Sequence, residues 1–252
     1  MTEALDLLID GQFAQSVDAY RKCLVENPHD SPSRAGLAAA LMGAARYDEA
    51  IPLEWEVHER AVSQIPDTCG QLPELACAYW CIEDRERAIE LAHDLVAGNL
   101  ARKINMAPDL AGGCSFGLTL YYMAVSTGNA AERDYALAFL KKLKAKYDKN
   151  PLFYGFPKLC VQQLFGDASF EDALESATGE RSLESATATA RPSRAKVSDL
   201  SVVLFNDGSF RRGAGDEEGC ARRMRQVFDL GFWAEPTHWY MARHEVKGAI
   251  RA

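Results

Sequence analysis

One phrase recurs in this sequence and limits what the chain can fold into. Arg46 to Ile51 reads Arg-Tyr-Asp-Glu-Ala-Ile, and Asp84 to Ile89 repeats it as Asp-Arg-Glu-Arg-Ala-Ile thirty-eight residues on. A looser copy, Gly11 to Val17, lies thirty-four residues ahead of the first. Each copy stands where a turn ends and a helix begins, so the front of the chain repeats as helix, turn, helix. A pair of helices cannot bury its apolar face alone, so repetition at this period predicts units that stack and share a core.

The first unit takes a helix to about Asp10, closed by Gly11, and a second helix from Phe13 to Val25 that ends at Asn27-Pro28. On the second, Val17, Tyr20, Cys23 and Leu24 fall three and four apart on one face. Ser31-Pro32 opens the next unit, a capping residue followed by proline in the first turn. Its second helix runs from Asp48 to about Gln64 and stops at Ile65-Pro66. The third pair is Leu72 to Ile82 and Arg85 to Ala97, with Gly98-Asn99 as the stop. Two looser pairs follow, Cys114 to Val125 with Glu132 to Tyr147, and Pro157 to Phe165 with Phe170 to Thr178.

Glu180 to Ala195 is small, polar and free of aromatics, which predicts a linker or loop over residues 180–196. Residues 197–212 admit two readings. Asn206-Asp207-Gly208-Ser209 between Val202 to Phe205 and Phe210 to Arg212 spells a short β-hairpin, because Asp-Gly favours the left-handed hairpin turn. Val197, Leu200, Val203 and Leu204 have helical spacing instead. Helices from Asp216 to Leu230 and Pro236 to Val246 close the chain.

A period near thirty-four, a small residue midway along each first helix (Ala4, Ala38, Ala76), another early in each second helix (Ser16, Ala50, Ala88) and a closing proline (Pro28, Pro66) resemble tetratricopeptide repeats, most clearly over residues 1–97. The resemblance implies an all-α fold, a superhelical array of antiparallel helix pairs forming a solenoid. The pairs fall at about 1–30, 31–66, 71–98, 111–150 and 157–179, with 197–252 as a hairpin or helix followed by capping helices. It also implies a concave surface lined by the first helix of each pair. Carried over position by position, that lining is Leu5, Leu8, Ala39, Met42, Cys77 and Trp80, then Tyr121, Tyr122, Gln162 and Phe165, with Trp80 and Tyr121 as aromatic anchors. Family members that clamp a terminal carboxylate use Asn, Lys and Arg there. Leu5, Ala39 and Cys77 occupy those places in this chain, so no such clamp is expected.

The chain carries 36 acidic and 28 basic residues, a formal net charge of −8. The imbalance lies in front: residues 1–100 hold 18 acids against 7 bases, and residues 101–160 hold 4 against 9. That field disfavours nucleic acid and can steer a basic partner. Seven cysteines without paired spacing argue for reduced thiols, and no apolar run or basic leader marks a membrane or secreted protein, so a cytoplasmic location is expected.

Motifs for chemistry are missing. His58-Glu59 and His244-Glu245 each lack the second histidine of a zinc-protease helix, and Cys69, Cys77 and Cys81 lack the close pairs of a zinc site. Gly112 to Gly117 lacks the Gly-Lys-Ser or Gly-Lys-Thr ending of a phosphate loop. Lys141, Lys142, Lys144, Lys146 and Lys149 predict a solvated face, or else an acceptor for an acidic partner.

The sequence therefore points to a non-enzymatic module that binds a protein or peptide, with no cofactor, metal, nucleic acid or membrane. The acidic front fits an inhibitor or immunity-type protein that blocks a basic toxin or enzyme. A peptide-sensing regulator or assembly chaperone is the rival among binding modules, and a thiol-dependent enzyme using Cys114 is the rival from another class.

Overall fold

The computed structural model describes residues 2–104, 113–149, 156–190, 193–231 and 236–251, and among them every regular element is a helix. The front pairs are α1 (Thr2–Ile9) with α2 (Phe13–Glu26), α3 (Ser31–Gly43) with α4 (Tyr47–Gln64), and α5 (Leu72–Cys81) with α6 (Arg85–Leu100). Then come α7 (Cys114–Thr127), α8 (Ala130–Tyr147), α9 (Phe156–Leu164), α10 (Phe170–Thr178), α11 (Leu183–Ala190), α12 (Arg194–Gly213), α13 (Glu217–Asp229) and α14 (Pro236–Arg251). No helix among the described residues is long and apolar enough to cross a membrane.

Local signals set the helix ends. The Asp30 carboxylate accepts from the Ser33 amide at 3.1 Å and Pro32 follows in the first turn of α3. Ser169 and Asp172 form a reciprocal capping box at α10, satisfying two amides that a helix start leaves open. Gly98 does not stop α6. The helix continues to Leu100, Arg102 takes the left-handed turn at φ 55°, and Ile104 folds back where a Gly98 side chain would stand.

The chain divides into two compact units, Met1–Leu91 and Ala92–Ala252. In the first, consecutive helices pack face to face through small residues: Ala38, Ala40, Ala50, Ala76 and Ala88 are fully buried. Ser16 serves the same close contact, its buried hydroxyl donating to the Ala4 carbonyl at 2.8 Å. Tyr20 lies across Gly36, where a Cβ would stand 2.2 Å from the ring, so only glycine lets α2 and α3 approach this far.

The second unit is organised on α12, which packs against α7, α9, α10, α11, α13 and α14. Val197, Leu200, Val203 and Leu204 are buried at the helical spacing, and no hairpin forms over residues 200–212. The turn-forming residues serve the tertiary structure instead. Asn206 Nδ2 and Ser209 Oγ bond back to the Val202 and Phe205 carbonyls. Gly208 faces α13, with Arg223 Cβ and Met224 Cε about one atomic contact from any added methyl group. Asp207, whose side chain is 6% exposed, accepts from Arg211 Nε at 2.8 Å, Arg223 Nε at 2.6 Å and Gln163 Nε2 at 2.8 Å. The 180–196 segment, expected as a linker or loop, contains α11, which packs on α10 and α12 through the buried Ala186.

Removing one member of a buried ionic network leaves its partners desolvated and uncompensated. Asp207→Asn should therefore lower unfolding free energy by about 3 kcal/mol, read from the denaturant midpoint; a shift under about 1 kcal/mol would mean that the arginines relax into water.

Candidate functional site

The expected concave lining is largely core. Leu8, Met42, Trp80, Tyr121 and Tyr122 are all buried, Gln162 and Phe165 are half-buried, and Leu5 stands 45% exposed. Ala39 is half-buried and Cys77 buried. The cause is plain at α7, whose face is covered by the last helices of the chain. Tyr121 meets the edge of Phe210 at 6.1 Å, and its hydroxyl lies where a Gly213 side chain would be. Tyr122 tilts on Phe205 at 4.7 Å and donates to Glu245 Oε1 at 2.5 Å. Arg212 grips the same carboxylate with both terminal nitrogens, at 2.8 and 3.1 Å, and donates to Ser126 Oγ at 2.9 Å. Burial pushes the Glu245 pKa up, but Arg212 and the Tyr122 hydroxyl more than reverse it and hold the group ionised. These aromatics and charges fasten α12 and α14 over α7; they are not an open groove.

Cys114 is buried at the start of α7, with Sγ 3.8 Å from the Pro157 carbonyl. Burial pushes Cys160 to about 12 and Cys220 to about 11, so neither offers a thiolate near neutral pH. His238 is stacked on Phe205 at 4.3 Å and burial lowers its pKa to about 3, which keeps the ring neutral. Among the described residues no three His, Cys, Asp or Glu side chains gather as metal ligands.

A second polar cluster holds the connection between α4 and α5. Glu54, 1% exposed, accepts from Gln71 Nε2 at 2.9 Å, and the Gln71 amide donates to His58 Nδ1 at 3.3 Å. Gly70 makes the turn at φ 52° directly against His58, a place with no room for a side chain. The carboxyl has this single donor against deep burial, and burial raises its pKa from 4.5 to about 7.

An open groove lies between α1 and α2. A groove of about 610 Å³ is lined by Glu3, Ala4, Leu7, Gln15, Asp18, Ala19, Lys22, Cys23 and Glu26. Ala4, Leu7, Ala19 and Cys23 form its floor and Glu3, Asp18 and Glu26 its exposed rim, with Lys22 one turn from each of the last two. Sequence reasoning passed over these residues because it followed the first helix of each pair; the signal was the charged row Asp18, Lys22, Glu26 opposite the apolar row Val17, Tyr20, Leu24. On α8, Lys144 pairs with Asp148 and Asp167, while Lys141, Lys142, Lys146 and Lys149 face solvent.

The raised Glu54 pKa means that the folded chain holds this proton more tightly than the unfolded chain. Its contribution to stability is full below about 4.5 and is lost as pH rises through about 7. Glu54→Gln keeps the acceptor for Gln71 and removes the charge. Melting curves of the two proteins should coincide near pH 4.5, with the variant gaining up to about 3 kcal/mol by pH 8; parallel pH profiles would refute the assignment.

No protein-family model matches the chain, and no match to it is found among curated proteins or solved structures.

Proposed function

We propose that the chain is a non-enzymatic, tetratricopeptide-like binding module whose partner is a basic protein. The observation that supports this reading is an unneutralised acidic surface on the first unit. Residues 1–91 hold seventeen acids and seven bases. Arg21, Arg34, Arg46, Arg85 and Arg87 are each paired with a glutamate of the same unit, and Arg60 donates to the Ser31 hydroxyl. Glu3, Asp6, Asp10, Asp18 and Glu26 remain exposed on the first helix pair, none of them in an ion pair among the described residues. Such a field accelerates encounter with a cationic protein and repels nucleic acid. A one-to-one complex that silences its partner is the inhibitor form of the same function.

Affinity capture from native lysate should retain a basic protein at low ionic strength and release it at high ionic strength, and Asp6→Lys/Asp10→Lys should weaken the capture. Capture of nothing, or of a partner indifferent to both salt and charge reversal, would defeat the reading.

A further inference from the structure

We infer that the groove between α1 and α2 docks a basic amphipathic helix of the partner. This rests on the binding function proposed above and adds the place and the form of the contact. The two helices turn one side to the rest of their unit and the other to solvent. Val17 and Tyr20 of α2 are buried on the side of α3, and α1 packs on α2 and α3. Gln15, Asp18, Ala19, Lys22 and Glu26 lie on the opposite side of α2 and line the groove. Nothing described in the unit packs over that side.

The shape suits a helix. From Gln15 to Glu26 the wall covers about 16 Å of helix axis, three turns, which accepts apolar anchors at i, i+3 or i+4, and i+7. The floor of Ala4, Leu7, Ala19 and Cys23 is low because two of its residues are alanines, so a facing helix can seat large apolar side chains between the rims. Burying the half-exposed floor residues Leu7, Ala19 and Cys23 supplies the favourable term that a purely charged contact lacks.

The rim sets the charge of the occupant. Glu3, Asp18 and Glu26 outweigh Lys22, so the helix that fits carries Lys or Arg on both flanks of its apolar stripe. A second copy of this chain does not meet the requirement. Its basic helix, α8, shows Lys141, Lys142, Lys146 and Lys149 to solvent, but Phe139, Leu140, Leu143 and Tyr147 are buried in its own unit, leaving charge without a stripe.

The probe is a fluorescent Lys/Leu peptide of about eighteen residues with its leucines at helical spacing, compared with a shuffled peptide of the same composition. By fluorescence anisotropy the full-length protein should bind the amphipathic peptide at least about tenfold more tightly than the shuffled one. Ala19→Trp, which fills the floor, and Asp18→Lys/Glu26→Lys, confined to exposed positions, should each weaken binding about tenfold or more, with melting curves confirming the fold. Equal binding of the two peptides, or binding unchanged in both variants, overturns the groove. If the native partner is still captured by both variants in a salt-sensitive way, the groove alone is wrong and the acidic surface remains the contact. Absence of capture by the unmodified protein removes the binding function and the groove together.

Discussion

A buried carboxylate organises the second unit. Asp207 sits about two-thirds of the way along the twenty-residue α12, where a desolvated anion costs several kcal/mol unless donors surround it. Arg211 comes from its own helix, Arg223 from α13 and Gln163 from α9, and Arg223 lies over the Phe170 ring of α10 at 4.2 Å. Satisfying one acid therefore fixes the positions of four helices. Gly208 is the steric counterpart: without a side chain there, α13 comes close enough for Arg223 to reach the carboxylate. At the far end of α12, Arg212, Glu245 and Tyr122 repeat the device and bring α14 and α7 into register.

The first unit solves the same problem with less electrostatics. Its helices approach through alanines and a serine, and its ion pairs lie on the surface, where each contributes little. The exception is Glu54, which has one side-chain donor where Asp207 has three. Burial is tolerable there because the group can accept a proton near neutrality. The two buried acids show one cost met in two ways, by counter-charge and by neutralisation.

These differences explain what the sequence disclosed. Helix pairing was legible because periodicity and caps are local: Asp30, Ser31 and Pro32 announce α3 without help from the rest of the chain. Asn206-Asp207-Gly208-Ser209 misled for the converse reason, since each of those residues also has a long-range use, and only the fold decides which operates. The expected lining residues Trp80, Tyr121 and Tyr122 are instead buried in the structure. An aromatic stripe on a first helix has the same spacing whether it faces a ligand or another segment of its own chain, and Phe205 and Phe210 are more than eighty residues from the tyrosines they cover. Charge was the more durable signal, because an acid without a counter-charge is buried only where, as at Glu54, a donor and a raised pKa relieve the cost.

The proposed binding function rests on what the core leaves uncovered. Where large aromatics are used to join helices, a partner is left with surfaces that no internal helix covers. Among the described residues of the first unit, that condition is met on the outer side of α1 and α2, where an apolar floor and an acidic rim occur together. A floor of small residues would attract any apolar segment, and an acidic rim any cation. In the proposed contact the two together select a partner that carries both features on one helical face, and this conjunction, more than the net charge of the chain, sets the specificity.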